Sequence, residues 1–417
     1  VAREILDYVL RDMTHPEGGF YSAEDADSAP DIAHPEEKEE GAFYLWRKQE
    51  IIDLLGNEKA EIFNYCYGAS DTGNTISDPQ GEFHDKNVLY TAYTIADAAR
   101  RFKGSESEFA TILEAGRKKL FEIRKTRPRP HLDDKIITAW NGLMISAFAR
   151  AYQVLDEPAY LHVAEHAAHF ILNRLYNLQT KTLTRRYRDG EAKYPAHLDD
   201  YAFLALGLID LYEASFNVKW LESAAALTET QNRLFWDRKD GAFFDTSGED
   251  ETILLRTKED YDGAEPAANS IAVLNLLRLA QMLDRKDLWK MAEQALQLFG
   301  GRLQSIPHAM PQMLAAIDFS LDKPMQIIIA GKPDAPDTRA MLRAARERFI
   351  PNKIVLLADG GEGQDYLGNS LPFVKSMTMM NGKATAYICE DYTCQLPVTD
   401  LQAMLQLLEE KPEARTR

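Results

Sequence analysis

From residue 87 onward one plan recurs: an apolar helix, a tight break, a second amphipathic helix, then a loop rich in glycine, aspartate and aromatic residues. One unit runs from Ile136 through Ala151, breaks at Asp156-Glu157-Pro158, continues as Tyr160 to Leu175, and ends in the loop Thr184 to Gly190. The next runs from Asp200 to Ser215, breaks at Phe216-Asn217, continues from Trp220 to Trp236, and ends in Asp240-Gly241-Ala242-Phe243-Phe244. A third spans Asn269 to Leu283, breaks at Asp284-Arg285 and continues to Leu303. First helices start about 60–70 residues apart, too long for the common solenoid repeats but right for αα-hairpins with long loops on one side. That spacing predicts a mainly α fold, an (α/α)6 toroid of αα-hairpins with an inner and an outer ring.

The helix pattern supports the two rings. Tyr201, Ala202, Ala205, Leu208, Ile209 and Tyr212 follow the i, i+3, i+4, i+7 rule, and the run Ile271 to Leu283 is apolar almost all round, as an inner helix packed on both sides should be. The predicted helices are 1–13, 87–103, 107–125, 137–154, 159–175, 200–215, 219–235, 269–283, 286–303 and 308–320. Six hairpins need two more, and the expectation is a toroid incomplete at its N-terminus. The chain opens at Val1, already inside a helical pattern (Ile5, Leu6, Val9, Leu10, Met13), so it reads as a piece of a longer protein whose leader cannot be judged.

After Pro324 short β-branched runs (Met325 to Ile329, Ile354 to Leu357, Ala384 to Ile388) alternate with helical stretches 337–349 and 399–409. This predicts a toroid over 1–323 and a small α/β subdomain over 324–417. Gly360-Gly361-Glu362-Gly363 has neither the spacing nor the lysine of a phosphate loop and is read as a plain loop.

A chain of 417 residues that is 45% hydrophobic can bury a large core. The formal charge of −17 and a pI near 5.1 repel a phosphate backbone, so nucleic acid is not an expected partner. No apolar run approaches the roughly 20 residues of a membrane span, and Asn275 and Arg278 interrupt the nearest one. Three cysteines (Cys66, Cys389, Cys394) make no disulfide framework, which points to a reducing, cytoplasmic compartment with Cys389 and Cys394 as structural thiols. No further soft ligand stands near them; no metal and no cofactor is expected.

Chemistry concentrates in two tetrads 66 residues apart, His131-Leu132-Asp133-Asp134 and His197-Leu198-Asp199-Asp200, each just before an inner helix. An aspartate there can simply cap the helix. A cap uses one carboxylate, however, and each tetrad has two and a histidine, which leaves groups for proton transfer. In a ring of hairpins the loops before inner helices open on one face. That face should also receive Glu24 and Asp25, Trp140 and Asn141, Arg185 and Arg186, Tyr201, and Asp262 to Pro266 with Glu265. Carboxylates, aromatics and arginines at a concave mouth suit a sugar, whose flat faces stack and whose hydroxyls need polar partners. The alternatives are that Trp140 and Tyr201 are core aromatics and that the arginines are loop ion pairs.

Several strings resemble the YyaL-type proteins, the spermatogenesis-associated thioredoxin-domain family. They are Gly18 to Ser28 (GGFYSAEDADS), Glu40 to Trp46 (EGAFYLW), Pro130 to Lys135 with Thr138 to Ile145, Asp200 to Phe203, and Asp262 to Pro266 with Asn269-Ser270; the match runs in order over roughly residues 1–320. The tail with Tyr387-Ile388-Cys389 and Cys394 also fits. The resemblance implies an N-terminal thioredoxin-like domain as partner, followed by a toroid similar to six-hairpin glycosidases and N-acylglucosamine epimerases. This sequence lacks the thioredoxin-like domain and the first hairpin. The resemblance implies the fold more firmly than a reaction.

The expected function is therefore a carbohydrate-active toroid. A hydrolase would pair Asp199 or Asp200 with Asp133 or Asp134, about 6.5–9.5 Å apart for inversion. An epimerase would use His197 and His131 as bases on opposite faces of a sugar carbon. Trp140, Asn141, Tyr201, Arg186, Glu24, Asp25 and Glu265 are the expected substrate contacts. The rival is a non-catalytic scaffold toroid for the thioredoxin-like domain, with the acidic, Pro-containing stretch Ala29 to Glu39 lying over the mouth or loose on the surface.

Overall fold

A computed structural model describes residues 1–78, 81–249, 253–322, 324–390 and 393–409. Its helices are α1 (Ala2–Asp12), α2 (Lys48–Leu55), α3 (Asn57–Cys66), α4 (Ile95–Phe102), α5 (Glu106–Arg124), α6 (Thr138–Leu155), α7 (Pro158–Arg174), α8 (Leu198–Ser215), α9 (Val218–Phe235), α10 (Ala268–Leu283), α11 (Lys286–Ser305), α12 (Pro311–Leu321), α13 (Pro336–Glu347), α14 (Glu362–Ser370) and α15 (Leu401–Glu409). The chain forms two compact units, one of Val1–Ser22 with Lys135–Arg417 and one of Ala23–Asp134.

The first unit has the predicted hairpin plan. Inner helices α6, α8, α10 and α12 pack in sequence, and α7, α9 and α11 each pack outside the helix before them. Helix α8 shows why it lies inside: Leu198 and Asp200 through Tyr212 are all buried. Each hairpin breaks at a left-handed residue, Asp156 (φ 55°), Phe216 (φ 57°) and Asp284 (φ 47°). Aspartate tolerates that region, but phenylalanine rarely does. Phe216 is held there by its ring, edge-on to Tyr212 at 5.9 Å and 5.5 Å from the Arg346 guanidinium.

Helices α6 and α8 touch backbone to backbone. A Cβ on Gly142 would lie 2.3 Å from the Phe203 carbonyl carbon, and one on Gly207 would lie 2.5 Å from the Gly142 oxygen. Polar ties reinforce the inner layer. The two residues that interrupt the apolar run of α10 supply them: Asn275 donates to the Ala202 carbonyl at 2.7 Å, and Arg278 pairs with Asp210 and Glu213 of α8, each at 2.7 Å. Asp210 also takes Arg150 of α6 at 2.7 Å and the Ser146 hydroxyl. Burial pushes the Asp210 carboxyl up, but Arg150, Arg278 and Ser146 outweigh it and hold the group at about 2.

The loops that follow the outer helices are pinned by the inner helices that come next. Asn141 of α6 accepts from Phe20 N at 2.7 Å and donates to Phe20 O at 3.0 Å. Asn269 of α10 repeats this on Phe243, at 2.9 Å and 3.0 Å. In the middle unit the Tyr201 hydroxyl of α8 accepts from Leu183 N at 2.9 Å. By this criterion α1 is an outer helix, equivalent to α7 and α9.

After residue 324 the α/β grammar appears as expected. Strand Met325–Ala330 pairs in parallel with Ile354–Ala358 and antiparallel with Thr385–Glu390, which pairs with Thr393–Cys394. Met341, Leu342 and Ala345 of α13 and Met404 and Leu408 of α15 cover Ile327, Ile329, Val355, Leu357, Ala386 and Ile388. Two readings are corrected here. Gly360-Gly361 leads directly into α14, whose short polar sequence hides its helicity; the side chains of Asp359 and Gln364 accept N–H groups at its start. Cys389 and Cys394 face each other across the hairpin and form a disulfide, so the cysteines no longer argue for a reducing compartment.

The second unit packs α2–α5 around Trp46, Ile51, Phe63, Phe109 and Leu113. Here the predicted helix 87–103 is corrected: only Ile95–Phe102 is helical, because Lys86–Asn87 form a strand with Trp46–Arg47 and Ala92 N bonds the Cys66 carbonyl. Helices α2 and α3 escaped sequence reading because Gly56, at φ 78°, divides them into short pieces. Arg127 lies 3.9 Å over the Trp46 ring and donates to the Leu45 and Phe43 carbonyls at 2.6 Å and 3.2 Å. Among the described residues no helix is long and apolar enough to cross a membrane.

Two outcomes follow. Gly142→Ala forces α6 from α8 and lowers stability by about 1–3 kcal/mol or more in urea unfolding. Asp210 has a depressed pKa, so its contribution is complete above the ordinary carboxyl pKa near 3.8 and lost as pH falls through about 2. Asp210→Asn should remove that pH dependence and cost roughly 3–5 kcal/mol at neutral pH, read by calorimetry across pH 2–7.

Candidate functional site

In the first unit, strand Thr182–Arg188 pairs with Ile136–Ile137 just before α6, which brings Arg185 to the start of α8. Arg185 grips Asp199 with two nitrogens, at 2.9 Å and 3.1 Å, and Asp200 at 2.9 Å. Asp200 is fully buried; one oxygen accepts Ala139 N of α6 at 3.0 Å, and the other accepts His197 N at 2.9 Å. Burial and then the charge of Asp199 raise the Asp200 carboxyl, against the pull of Arg185 and the two N–H groups. Both Asp200 oxygens serve as acceptors that tie two inner helices together, so its role in this geometry is a double cap.

The neighbouring expected contacts divide between core and mouth. Asn141 and Tyr201 are each 1% exposed. Their polar atoms are the loop pins described above, which corrects Tyr201 as a stacking surface and Asn141 as a substrate contact: neither side chain reaches solvent. Burial pushes the Tyr201 phenol up to about 12. Arg186 lies 5.2 Å over the Tyr194 ring of the adjacent strand. Asp262 accepts Ala267 N and Gln312 N, both at 2.8 Å, and so fixes the loop to the start of α12.

Trp140 is different. It is 44% exposed, and its indole N–H donates to Glu265 at 2.9 Å. Together with Glu259, Tyr261, Gly263 and Ala264 these residues line a cavity of about 530 Å³. Tyr261 is also exposed, at 57%. Glu259 N donates to Asp245 at 2.9 Å. Partial burial, then the carboxylates of Asp245, Glu265, Asp199 and Asp260, raise the Glu259 carboxyl above its ordinary value. Partial burial and Arg185 lower the His197 imidazole, with Asp199 and Asp245 opposing. The cavity therefore offers two exposed rings, a carboxyl that keeps its proton longer than usual, and a histidine that is neutral more readily than usual. Sequence reading missed Glu259 and Tyr261; the string Glu259-Asp260-Tyr261 directly before Asp262 was the available signal.

The other tetrad lies in the second unit. Ala23 and Glu24 pair antiparallel with Asp133 and Leu132, and Asp25 N donates to the His131 carbonyl at 2.8 Å. Glu24 accepts Arg129 at 3.0 Å and the Tyr44 hydroxyl at 2.9 Å. Burial, then Glu24, raise the Tyr44 phenol. This unit thus gathers Glu24, Asp25, His131, Asp133 and Asp134, with the last two half-buried. Among the described residues the one group with metal-like spacing is His34, Glu36 and Glu37, all exposed.

No family model matches the chain. It is 38% identical to human spermatogenesis-associated protein 20 over 428 residues, which is 98% of this chain and 54% of that protein. It is 33% identical to an uncharacterized protein of Caenorhabditis elegans, over 98% of this chain and 57% of that one. The chain thus spans about half the length of the curated relatives it matches. Among solved structures, the cellobiose 2-epimerase of Bacillus thermoamylovorans aligns with 14% identity and a TM-score of 0.35, covering 62% of this chain and 66% of that one. A GH76 α-mannanase of Bacteroides thetaiotaomicron aligns with 15% identity and a TM-score of 0.34, covering 40% and 44%. Both likenesses are too loose to carry residues across.

Asp200→Asn replaces an acceptor oxygen with an NH2 that faces N–H donors, and it should cost about 3–5 kcal/mol in thermal unfolding whatever it does to ligand binding. Along nearly its whole length the chain is a homologue of spermatogenesis-associated protein 20, matching about half of that protein.

Proposed function

We propose that the first unit is a carbohydrate-active αα-hairpin toroid that takes a saccharide in the cavity between Trp140 and Tyr261. The observation that carries this reading is the cavity itself: two exposed aromatic rings beside the carboxyls of Glu259 and Glu265. Rings supply flat apolar faces for a pyranose, and carboxyls accept from its hydroxyls. For hydrolysis Glu259 is the proton donor, since its surroundings delay ionisation, and Glu265 or Asp199 receives the proton from water. For epimerisation His197, kept neutral by partial burial and Arg185, is the base that removes the proton from carbon.

A second reading has its own observation. Arg185 commits both Asp199 and Asp200, which suits a scaffold toroid that supports a thioredoxin-like domain in the longer protein. Titration of mono- and oligosaccharides against indole fluorescence and by calorimetry separates the two. The carbohydrate reading expects saturable binding that Trp140→Ala weakens at least tenfold with folding intact, while Glu259→Gln retains binding and loses turnover. A panel in which no sugar binds rejects it and leaves the scaffold.

A further inference from the structure

A second cavity, of about 1000 Å³, extends along inner helices α6, α8, α10 and α12 to the segment Arg346–Lys353 that joins α13 to strand Ile354–Ala358. Four cationic side chains line it: Arg150, Arg278, Arg346 and Lys353. Their anionic partners are fewer. Asp210 is shared by Arg150 and Arg278, and Glu213 takes Arg278 and accepts Val355 N at 3.1 Å. Arg346 and Lys353 form no ion pair with a carboxylate among the described residues. Arg346 donates to the Glu213 and Ala214 carbonyls at 2.9 Å and 2.7 Å, capping α8, and Lys353 donates to the Ala345 and Arg348 carbonyls. Asp318, the remaining acid from the inner helices, accepts from Asn352 at 2.9 Å.

Buried cations are ordinarily paired, because a charge removed from water costs far more than carbonyl dipoles return. Here the pairing is incomplete. Arg278 is 6% exposed and its second terminal nitrogen, Nη1, is buried with no partner; Nε of Arg346 is likewise buried and unpartnered. Burial lowers the pKa of both Arg346 and Lys353, the direction expected where counter-charge is short. This cationic excess stands in a chain whose net charge is −17, so it is not a general property of the surface.

We propose that this cavity binds a small organic oxyanion, a carboxylate or phosphate compound, whose charge is met by Arg346, Lys353 and Arg278. Arginine and lysine both recognise such groups, arginine with paired N–H bonds. The site is separate from the Trp140 cavity and does not depend on the carbohydrate reading.

The test is thermal unfolding and calorimetry of the whole chain with inorganic phosphate and, separately, with citrate, against sodium chloride at matched ionic strength. Saturable binding and a Tm rise of several degrees with either anion, but not with chloride, is expected. A response to phosphate alone assigns a phosphoryl ligand and a response to citrate alone a carboxylate. Lys353→Gln and Arg346→Gln should each weaken binding at least fivefold, and Trp140→Ala should leave it unchanged. Should Arg346→Gln fail to fold for want of its cap on α8, Lys353→Gln carries the comparison. A chloride response equal to that of phosphate and citrate, or full-strength binding in Lys353→Gln, overturns the proposal.

Discussion

The hydrogen bonds from the first turns of the inner helices to the preceding loops hold the rest of the first unit in place. A long loop beside a helix mouth carries backbone N–H and C=O groups that must find partners once water is excluded. Asn141 and Asn269 satisfy one donor and one acceptor of a single phenylalanine each, Phe20 and Phe243, and Tyr201 satisfies Leu183 N. Because the same device recurs, each loop leaves its outer helix on a set course. The mouth inherits its geometry from these pins: Trp140 precedes Asn141, and the Asn269 amide also binds the Glu259 carbonyl at 3.0 Å.

This explains how the polar residues of the mouth divide. Those that face the helix ends are consumed by structure. Asp200 caps two helices, Asp262 anchors a third, and Arg185 neutralises Asp199 and Asp200 in one fork. Those on the outer side of the loops, Glu259, Tyr261 and Glu265, are left for a ligand, with Trp140 as the one inner-helix side chain among them. A carboxylate that touches three N–H donors is a poor proton carrier; one surrounded by other carboxylates is a better one.

Much of the fold was legible because helix periodicity survives burial. The helices from α6 to α12 were all anticipated, most within two or three residues at each end, since each is long and apolar on a continuous face. Even the interruptions of α10 had meaning: Asn275 and Arg278 are its ties to α8. The second unit was poorly legible because its elements are short, and Gly56 and the strand at Lys86–Asn87 erase the period. At the site, sequence pointed correctly to Trp140 and Glu265 as neighbours. It overrated Asp200 and Tyr201, because a capping carboxylate and a catalytic one have the same letter, as do a core tyrosine and a stacking one. The Cys389–Cys394 bridge was hidden because it depends on strand register, not on spacing.

The pins differ in one respect that bears on how the chain acquires its structure. Tyr201 reaches back 18 residues and Asn269 reaches back 26, but Asn141 closes on Phe20 across 121. Loop closure grows more costly with chain length, though only logarithmically, and contacts between distant residues slow assembly. The two short pins can form as soon as their hairpins exist. The Asn141–Phe20 pin has to wait for the ends of a 112-residue excursion to meet, so α1 docks late and the α8–α10 region is the natural nucleus of the unit. The hairpin array therefore assembles from its middle outward, and its first helix in sequence is among the last to take its place.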